Sequence, residues 1–148
     1  MANYDAIIIS TGQSGPALAR WLVAAGWKVA IIERKLFGGT CVNTGCTPTK
    51  TLVASAYAAH VVRRAADYGV RVEGAVKVDM KAVKARKDAV VAISRDGVEQ
   101  SLKTLEGCTV YEGHGRFVAE KKVAVNASES QAQGCPGSPN QRPCASPL

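Results

Sequence analysis

The sequence is poor in aromatic residues and in long apolar runs. Phe, Trp and Tyr make up 5% of its 148 residues, and no stretch approaches the ~20 consecutive apolar residues that a membrane-spanning helix needs. The first residues have neither the basic segment nor the apolar core of a signal peptide. We therefore expect a cytoplasmic protein without membrane contact, whose core is built largely from Ala and Val.

Clustered positive charge and a cysteine framework are also missing. The net charge is +7, but the basic residues are scattered and have no aromatic residues among them. This favours solvated helix faces over a nucleic-acid surface. The five cysteines are too few and too irregular for a secreted disulfide framework. Neither His60 nor His114 has a second ligand at metal-binding spacing, so no metal site is predicted.

The first third of the chain has the pattern of a dinucleotide-binding βαβ unit. An apolar β-branched run predicts a strand over residues 6–9 that is buried on both faces. A helix over 17–25 and a second strand over 27–32 follow. The intervening turn matches Gly-x-Gly-x-x-Gly, except that Ser10 replaces the first glycine, while Gly12 and Gly15 remain. Such a turn lets a pyrophosphate approach the backbone, and Glu33 is placed to accept hydrogen bonds from ribose hydroxyls.

Two cysteines follow in the segment Gly-Gly-Thr-Cys-Val-Asn-Thr-Gly-Cys-Thr-Pro-Thr-Lys, residues 38–50. Cys41 and Cys46 are spaced so that both sulfurs can lie on one side of a helical turn, where a disulfide opens and closes without refolding of the domain. A pair of buried, inert thiols is the alternative. The nearby glycines, a helix start and the cationic Lys50 favour a reactive pair, because such surroundings lower the pKa of a thiol.

The middle of the chain is predicted to be mainly helical. A helix from residue 48 to about 67 carries an apolar stripe that we expect to be buried. A short strand is predicted at 70–72. A second long helix, capped by Asp79, runs from 80 to about 95, with a break or bend at 96–97 before it resumes to 105. The stripe of the first helix consists of Leu52, Val53, Ala56, Tyr57, Ala59, His60 and Val62.

The last part of the chain changes character. A strand at 109–112, a flexible corner at 113–115 and a hairpin of 116–119 with 122–125 are predicted. Residues 126–148 contain four of the six prolines and two of the five cysteines, with almost no aliphatic residues. We therefore predict a disordered tail over 126–148, in which nothing would fix Cys135 and Cys144 as a second redox or metal pair.

Together these motifs resemble the amino-terminal, flavin-binding part of the pyridine nucleotide–disulfide oxidoreductases, over residues 4 to about 125. That family includes dihydrolipoamide dehydrogenase, glutathione reductase and mercuric reductase. The segments Gly-Gln-Ser-Gly-Pro and Cys-Thr-Pro-Thr-Lys are most similar to those of mercuric-reductase-like members. The resemblance implies a Rossmann-like α/β domain, with a parallel sheet, flanking helices and a small β-hairpin. It also implies FAD as cofactor and NAD(P)H as electron donor.

The resemblance further implies the role of each residue. The pyrophosphate of FAD would lie over Gly12 and Gly15, and Lys50 would lie near the reactive side of the isoalloxazine. Cys46 would be the thiol beside the flavin, and Cys41 the outer thiol that attacks the substrate. The implied catalytic residues are Cys41, Cys46 and Lys50. The implied cofactor-binding residues are Gly12, Gln13, Ser14, Gly15, Glu33, Arg34, Gly38, Gly39, Thr40, Cys41, Lys50 and Gly115.

Several parts of such enzymes have no counterpart in this sequence. The family adds a nicotinamide-binding domain, a return segment of the flavin domain and a domain that forms the homodimer. We therefore expect residues 1–125 to be a truncated FAD-binding domain, inactive by itself, followed by a non-homologous tail. Two alternatives stay open: a dithiol module that binds a soft metal such as Hg(II) through Cys41 and Cys46, and a non-functional gene fragment.

Overall fold

The structure, a computed structural model, describes residues 2–127. Within this range the chain forms four strands, four α-helices and one short 3-10 helix. In chain order they are β1 (Ala6–Ile9), α1 (Ser14–Ala24), β2 (Val29–Glu33), α2 (Gly39–Asn43), α3 (Cys46–Arg63), the 3-10 helix Ala65–Tyr68, α4 (Met80–Lys103), β3 (Cys108–Ala119) and β4 (Lys122–Ala127). The predicted tail, with Cys135 and Cys144, lies outside the described residues except for its first two, which belong to β4.

The strands form one sheet in the order β1-β2-β3-β4. β1, β2 and β3 are parallel, and β4 returns antiparallel beside the second half of β3. The predicted parallel α/β sheet with a hairpin is therefore confirmed. The expected corner at 113–115 is part of a continuous β3, which is long enough to leave the parallel sheet and pair with β4.

The core lies where β2 packs against α1 and α4. Its buried cluster joins Val29 and Ile31 of β2 to Ala19 of α1, Leu102 of α4 and the loop residue Phe37. Residues two apart on a strand share a face, so α1 and α4 cover the same face of the sheet. Apolar burial of this kind is the main stabilising contribution in a domain of this size.

The other face of β2 is covered by the curled hairpin. A Cβ added at Gly115 of β3 would lie 3.2 Å from Cδ1 of Ile32, so the Ile32 side chain packs directly against the β3 backbone. β2 is consequently buried along its whole length. The expectation that β1 is buried on both faces is wrong, because Ile7 and Ile9 are exposed. β1 pairs only with β2 in the described part of the chain, and α1 covers only one of its faces.

The predicted buried stripe on α3 is also wrong. Val53 and Tyr57 are 60% and 66% exposed. The side of α3 that faces α4 carries the small residues Thr51, Ser55 and Ala59, which are buried or half-buried, and of these only Ala59 belongs to the predicted stripe. Nη1 of Arg86 on α4 donates to the carbonyl oxygen of Thr51 at 3.0 Å and to Oγ of Ser55 at 3.2 Å. A polar contact between helices, rather than the apolar stripe, therefore sets the orientation of α3.

Two further predictions concern α4 and the loop before it. Asp79 caps α4 as predicted: its Oδ1 accepts hydrogen bonds from the amides of Lys81 and Ala82 at 2.8 and 3.1 Å. The predicted bend at 96–97 is absent, since one glycine in a helix costs only about 1 kcal/mol and Leu102 beyond it is anchored in the core. Residues 70–72 form no strand.

The packing predicts very different costs for the same substitution at two isoleucines. Ile31 is fully buried, whereas Ile93 on α4 is 73% exposed. Ile31→Val should lower the free energy of unfolding by about 0.5–1.5 kcal/mol, because it leaves a cavity that a close-packed core fills incompletely. Ile93→Val, the matched control, should change it by less than about 0.5 kcal/mol. Urea denaturation of both variants checks this, and equal effects would contradict the described core.

Candidate active site

The glycine turn lies between the end of β1 and the start of α1. The amide of Ser10 donates to the carbonyl oxygen of Ile32 at 2.7 Å, which extends the β1–β2 pairing by one residue. A Cβ added at Gly15 would lie only 2.5 Å from the carbonyl oxygen of Ser10, so the helix can approach the strand this closely only with glycine there. The first amides of α1, which lack intrahelical acceptors, consequently stand at the carboxyl end of β1.

Glu33, at the end of β2, is held by four hydrogen bonds. Its Oε2 accepts from the amide of Thr11 at 3.0 Å and from the Thr11 hydroxyl at 2.6 Å. Its Oε1 accepts from the amides of Arg34 and Lys35 at 2.9 and 3.0 Å. Both residues of the Glu33–Thr11 pair are buried. The carboxylate is thus fixed across the ends of β1 and β2.

The electrostatics of Glu33 reflect two opposing effects. Burial acts to raise the pKa of its carboxyl, because a charged group is less well solvated inside the protein. The hydrogen bonds from Thr11, Lys35 and Arg34 stabilise the ionised form and outweigh burial, so the pKa lies below its usual value. At neutral pH Glu33 is therefore a fixed negative charge.

The loop after β2 brings the cysteine pair against the glycine turn. The amide of Gly38 donates to the Thr11 hydroxyl at 3.0 Å. A Cβ added at Gly39, whose φ is +60°, would lie 2.9 Å from Cα of Gly12. Nδ2 of Asn43 donates to the carbonyl oxygens of Phe37 and Gly39 at 2.8 and 2.9 Å, which ties the short helix α2 to this loop.

Cys41 and Cys46 form a disulfide that joins α2 to the first residue of α3. Their Cα atoms are 4.7 Å apart, and a Cβ added at Gly45 between them would lie 3.0 Å from the carbonyl oxygen of Thr40. Cys46 begins an 18-residue helix with no acidic residue in its first turn. Free amides and the positive end of the helix dipole favour a thiolate at such a position. Lys50 lies one turn further along α3 and is exposed.

A cavity of about 300 Å³ opens beside the turn and connects three predicted binding residues. Glu33, Arg34 and Gly115 all line it, together with Ser10 and His114. Gln13 and Ser14 are exposed at the start of α1, and Thr40 is exposed on α2. Gly15 and Gly38 are buried beneath the turn, so the exposed predicted residues lie at the cavity, at the start of α1 and on α2.

Three residues of this site were not among the sequence-based candidates. Thr11 occupies a variable position of the glycine motif, and only its contact with Glu33 reveals its role. His114 was interpreted as a packing or surface residue, yet it lines the cavity. Asn43 lies between the cysteines. Its position four residues after Gly39, one helical turn away, was the only sequence feature that could have indicated its bond to the Gly39 carbonyl oxygen. Among residues 2–127, no cluster of three or more His, Cys, Asp or Glu side chains could hold a metal ion.

Comparison with known proteins agrees with this geometry. The family model described as pyridine nucleotide-disulphide oxidoreductase matches residues 4–135. The chain belongs to this family. The resemblance seen in the sequence is therefore confirmed.

Several curated relatives and solved structures match. The dihydrolipoyl dehydrogenase of Acholeplasma laidlawii is 38% identical over 124 residues, which are 84% of this chain and 37% of that protein. The probable pyridine nucleotide-disulfide oxidoreductase RclA of Escherichia coli is 33% identical over 135 residues, 90% of this chain and 26% of that protein. The Cu(II) complex of the HOCl-induced flavoprotein disulfide reductase RclA superimposes with a TM-score of 0.71 at 32% identity, covering 88% of this chain and 26% of that chain.

These relatives are much longer than the present chain. The chain spans between 26% and 37% of the two curated proteins just named. Among residues 2–127, no helix has the length and apolar character that crossing a membrane demands.

The hydrogen bonds of Thr11 predict a stability cost for an isosteric substitution. Thr11→Val should lower the free energy of unfolding by about 1–3 kcal/mol, because Glu33 loses a donor and the Gly38 amide loses its acceptor. Thr49→Val, at an exposed position on α3, is the control and should change it by less than about 0.5 kcal/mol. Chemical denaturation measures both. An undiminished stability of Thr11→Val would show that the network contributes nothing.

The lowered pKa of Glu33 predicts a pH dependence with a definite sign. Its stabilising effect is fully present above the unfolded-state pKa of about 4.3 and is lost as the pH falls through the lower folded-state pKa. Glu33→Gln should therefore be less stable than the parent at neutral pH, and the gap should narrow in acid. Denaturation midpoints across this range test it. Glu106→Gln, at an exposed carboxylate, should track the parent, and a constant gap for Glu33→Gln would contradict the assignment.

Proposed function

We propose that this chain is the FAD- and disulfide-bearing part of an NAD(P)H-dependent flavoprotein disulfide oxidoreductase. The supporting observation is the contact between two motifs that are distant in the sequence. The loop at Gly38 and Gly39 packs on Thr11 and Gly12 of the glycine turn, and the disulfide follows directly. A dinucleotide lying along the turn would therefore have its far end close to Cys41 and Cys46.

The residues of the site fit FAD. The cavity beside Glu33 and Gly115 suits an adenosine moiety, and the close approach at Gly15 leaves the α1 amides open to a pyrophosphate. Glu33 and Arg34 would hold the ribose, while Gly39, Thr40 and Lys50 would line the flavin end. When bound, FAD supplies the two-electron chemistry that connects a hydride donor with a disulfide. Each Glu33 oxygen already accepts two hydrogen bonds, so a ribose hydroxyl would share an oxygen with one of these donors or displace it.

The two cysteines would have different roles, Cys46 as the stabilised thiolate and Cys41 as the thiol that attacks the acceptor. Two electrons break the Cys41–Cys46 bond and leave two sulfurs, of which Cys46 is the better thiolate because it begins α3. Cys41, on the short helix α2, then attacks a disulfide of the acceptor, which forms a mixed disulfide and releases one thiolate. Cys46 next attacks the Cys41 sulfur, re-forms the Cys41–Cys46 bond and releases the second thiolate. The nearby positive charge of Lys50 favours the thiolate state further.

The source of electrons and the quaternary state are proposed from the family. Hydride entry from NAD(P)H requires a nicotinamide site in addition to the glycine turn at 10–15, so we propose NAD(P)H as the electron donor from the family alone. The family homodimer, the cytoplasmic location and the likeness to mercuric reductase remain predictions.

A second candidate function is soft-metal binding by the reduced pair. The Cα separation of 4.7 Å places two thiolates close enough to share one ion, and thiolates prefer soft ions such as Hg(II) or Cu(I). Metal titration of the reduced, flavin-free chain distinguishes this function from the first, because a metal module needs no FAD.

Anaerobic reduction of the FAD-loaded chain tests the primary proposal. Dithionite titration should consume two electron equivalents for the flavin and two more for the disulfide. Cys46→Ser should abolish the second pair, whereas Cys108→Ser, which alters a half-buried thiol outside the disulfide, should retain it. Absorbance of the flavin follows the titration. Absence of flavin binding would refute the proposal, and so would unchanged capacity in Cys46→Ser.

A further inference from the structure

Ser10 departs from the glycine motif in identity but keeps a backbone conformation typical of glycine. Its φ is +92°, a conformation that glycine adopts readily and that residues with a Cβ rarely adopt. Its amide is nevertheless bound to Ile32 at 2.7 Å, so the chain keeps the geometry of the motif around a residue that disfavours it. The consequence of the serine must therefore come from its side chain.

The Ser10 hydroxyl makes a hydrogen bond inside the turn. The amide of Gly12 donates to its Oγ at 3.2 Å. Amides at this position and at the following helix start are the groups that a phosphate oxygen would meet. With serine present, one of these donors already has an acceptor supplied by the protein.

Ser10 also borders the space where a nucleotide would lie. It lines the 300 Å³ cavity with Glu33 and Arg34 and is itself exposed. A ligand that runs from the cavity to the α1 amides would pass directly over it. The hydroxyl therefore lies at the junction between the adenosine and phosphate parts of the proposed site.

We propose that Ser10 sets the affinity of this site for dinucleotides, because its hydroxyl takes the place of a phosphate oxygen on the Gly12 amide. This inference rests on the proposed FAD function. A phosphate must displace the hydroxyl before it can reach the amide. Losing one intramolecular hydrogen bond weakens binding by about 2- to 12-fold, relative to a chain in which the amide is free.

Three ligands and two substitutions separate the hydroxyl from the β-carbon. Ser10→Ala removes the hydroxyl and keeps the β-carbon, whereas Ser10→Gly removes both. Both variants should bind FAD and ADP about 2- to 12-fold more tightly than the parent. Adenosine, which has no phosphate, should bind Ser10→Ala as it binds the parent. Quenching of flavin fluorescence measures FAD, and calorimetry measures the other two ligands. Ser94→Ala on α4 is the control and should change none of these affinities, and circular dichroism verifies that each variant is folded.

Each outcome decides the inference. If only Ser10→Gly binds more tightly, the β-carbon is responsible, and the role of the hydroxyl is overturned. If Ser10→Ala binds FAD more weakly, the hydroxyl is a ligand rather than a competitor, which also overturns the inference. Equal FAD affinity in all three chains rejects the role of Ser10 but leaves the proposed function standing. If no chain binds FAD or ADP, the proposed function fails and this inference fails with it.

Discussion

The hydrogen bonds of the Thr11 side chain are the constraint on which the site depends. One hydroxyl donates to Glu33 at the end of β2 and accepts from the amide of Gly38. It therefore joins the two parallel strands to the loop that carries the cysteines. Because the hydroxyl is completely buried, neither bond can be replaced by water without opening the turn. The position of the disulfide relative to the glycine turn follows from this single side chain and from the tight packing of Gly39 on Gly12.

The sequence was most informative where structure is decided locally. The apolar runs of β1 and β2, the cap at Asp79 and the hairpin depend on neighbours within a few residues, and all four were predicted. The cysteine segment was recognisable because its residue types and spacing are tied to one kind of chemistry.

Burial was predicted less well, because it depends on what covers each face. The stripe beginning at Leu52 has the spacing of a core-facing helix, but the contact with α4 uses the small side of α3 and the Arg86 side chain instead. Ile7 and Ile9 are apolar residues of a parallel strand, yet in the described residues no second layer covers them. Thr11 could not be singled out, since its position in the motif tolerates many residues and its partners lie 22 and 27 residues away.

The short span of the disulfide has a consequence for the unfolded chain. Cys41 and Cys46 are five residues apart. By restricting the unfolded chain, a disulfide across a loop this small stabilises the fold by only about 2 kcal/mol, against about 4.7 kcal/mol for a loop of about 100 residues. Opening this bond therefore removes less free energy of unfolding than opening a bond that closes a long loop. A cross-link of this kind can alternate between oxidised and reduced states while β2, Glu33 and the glycine turn keep the same fold in both.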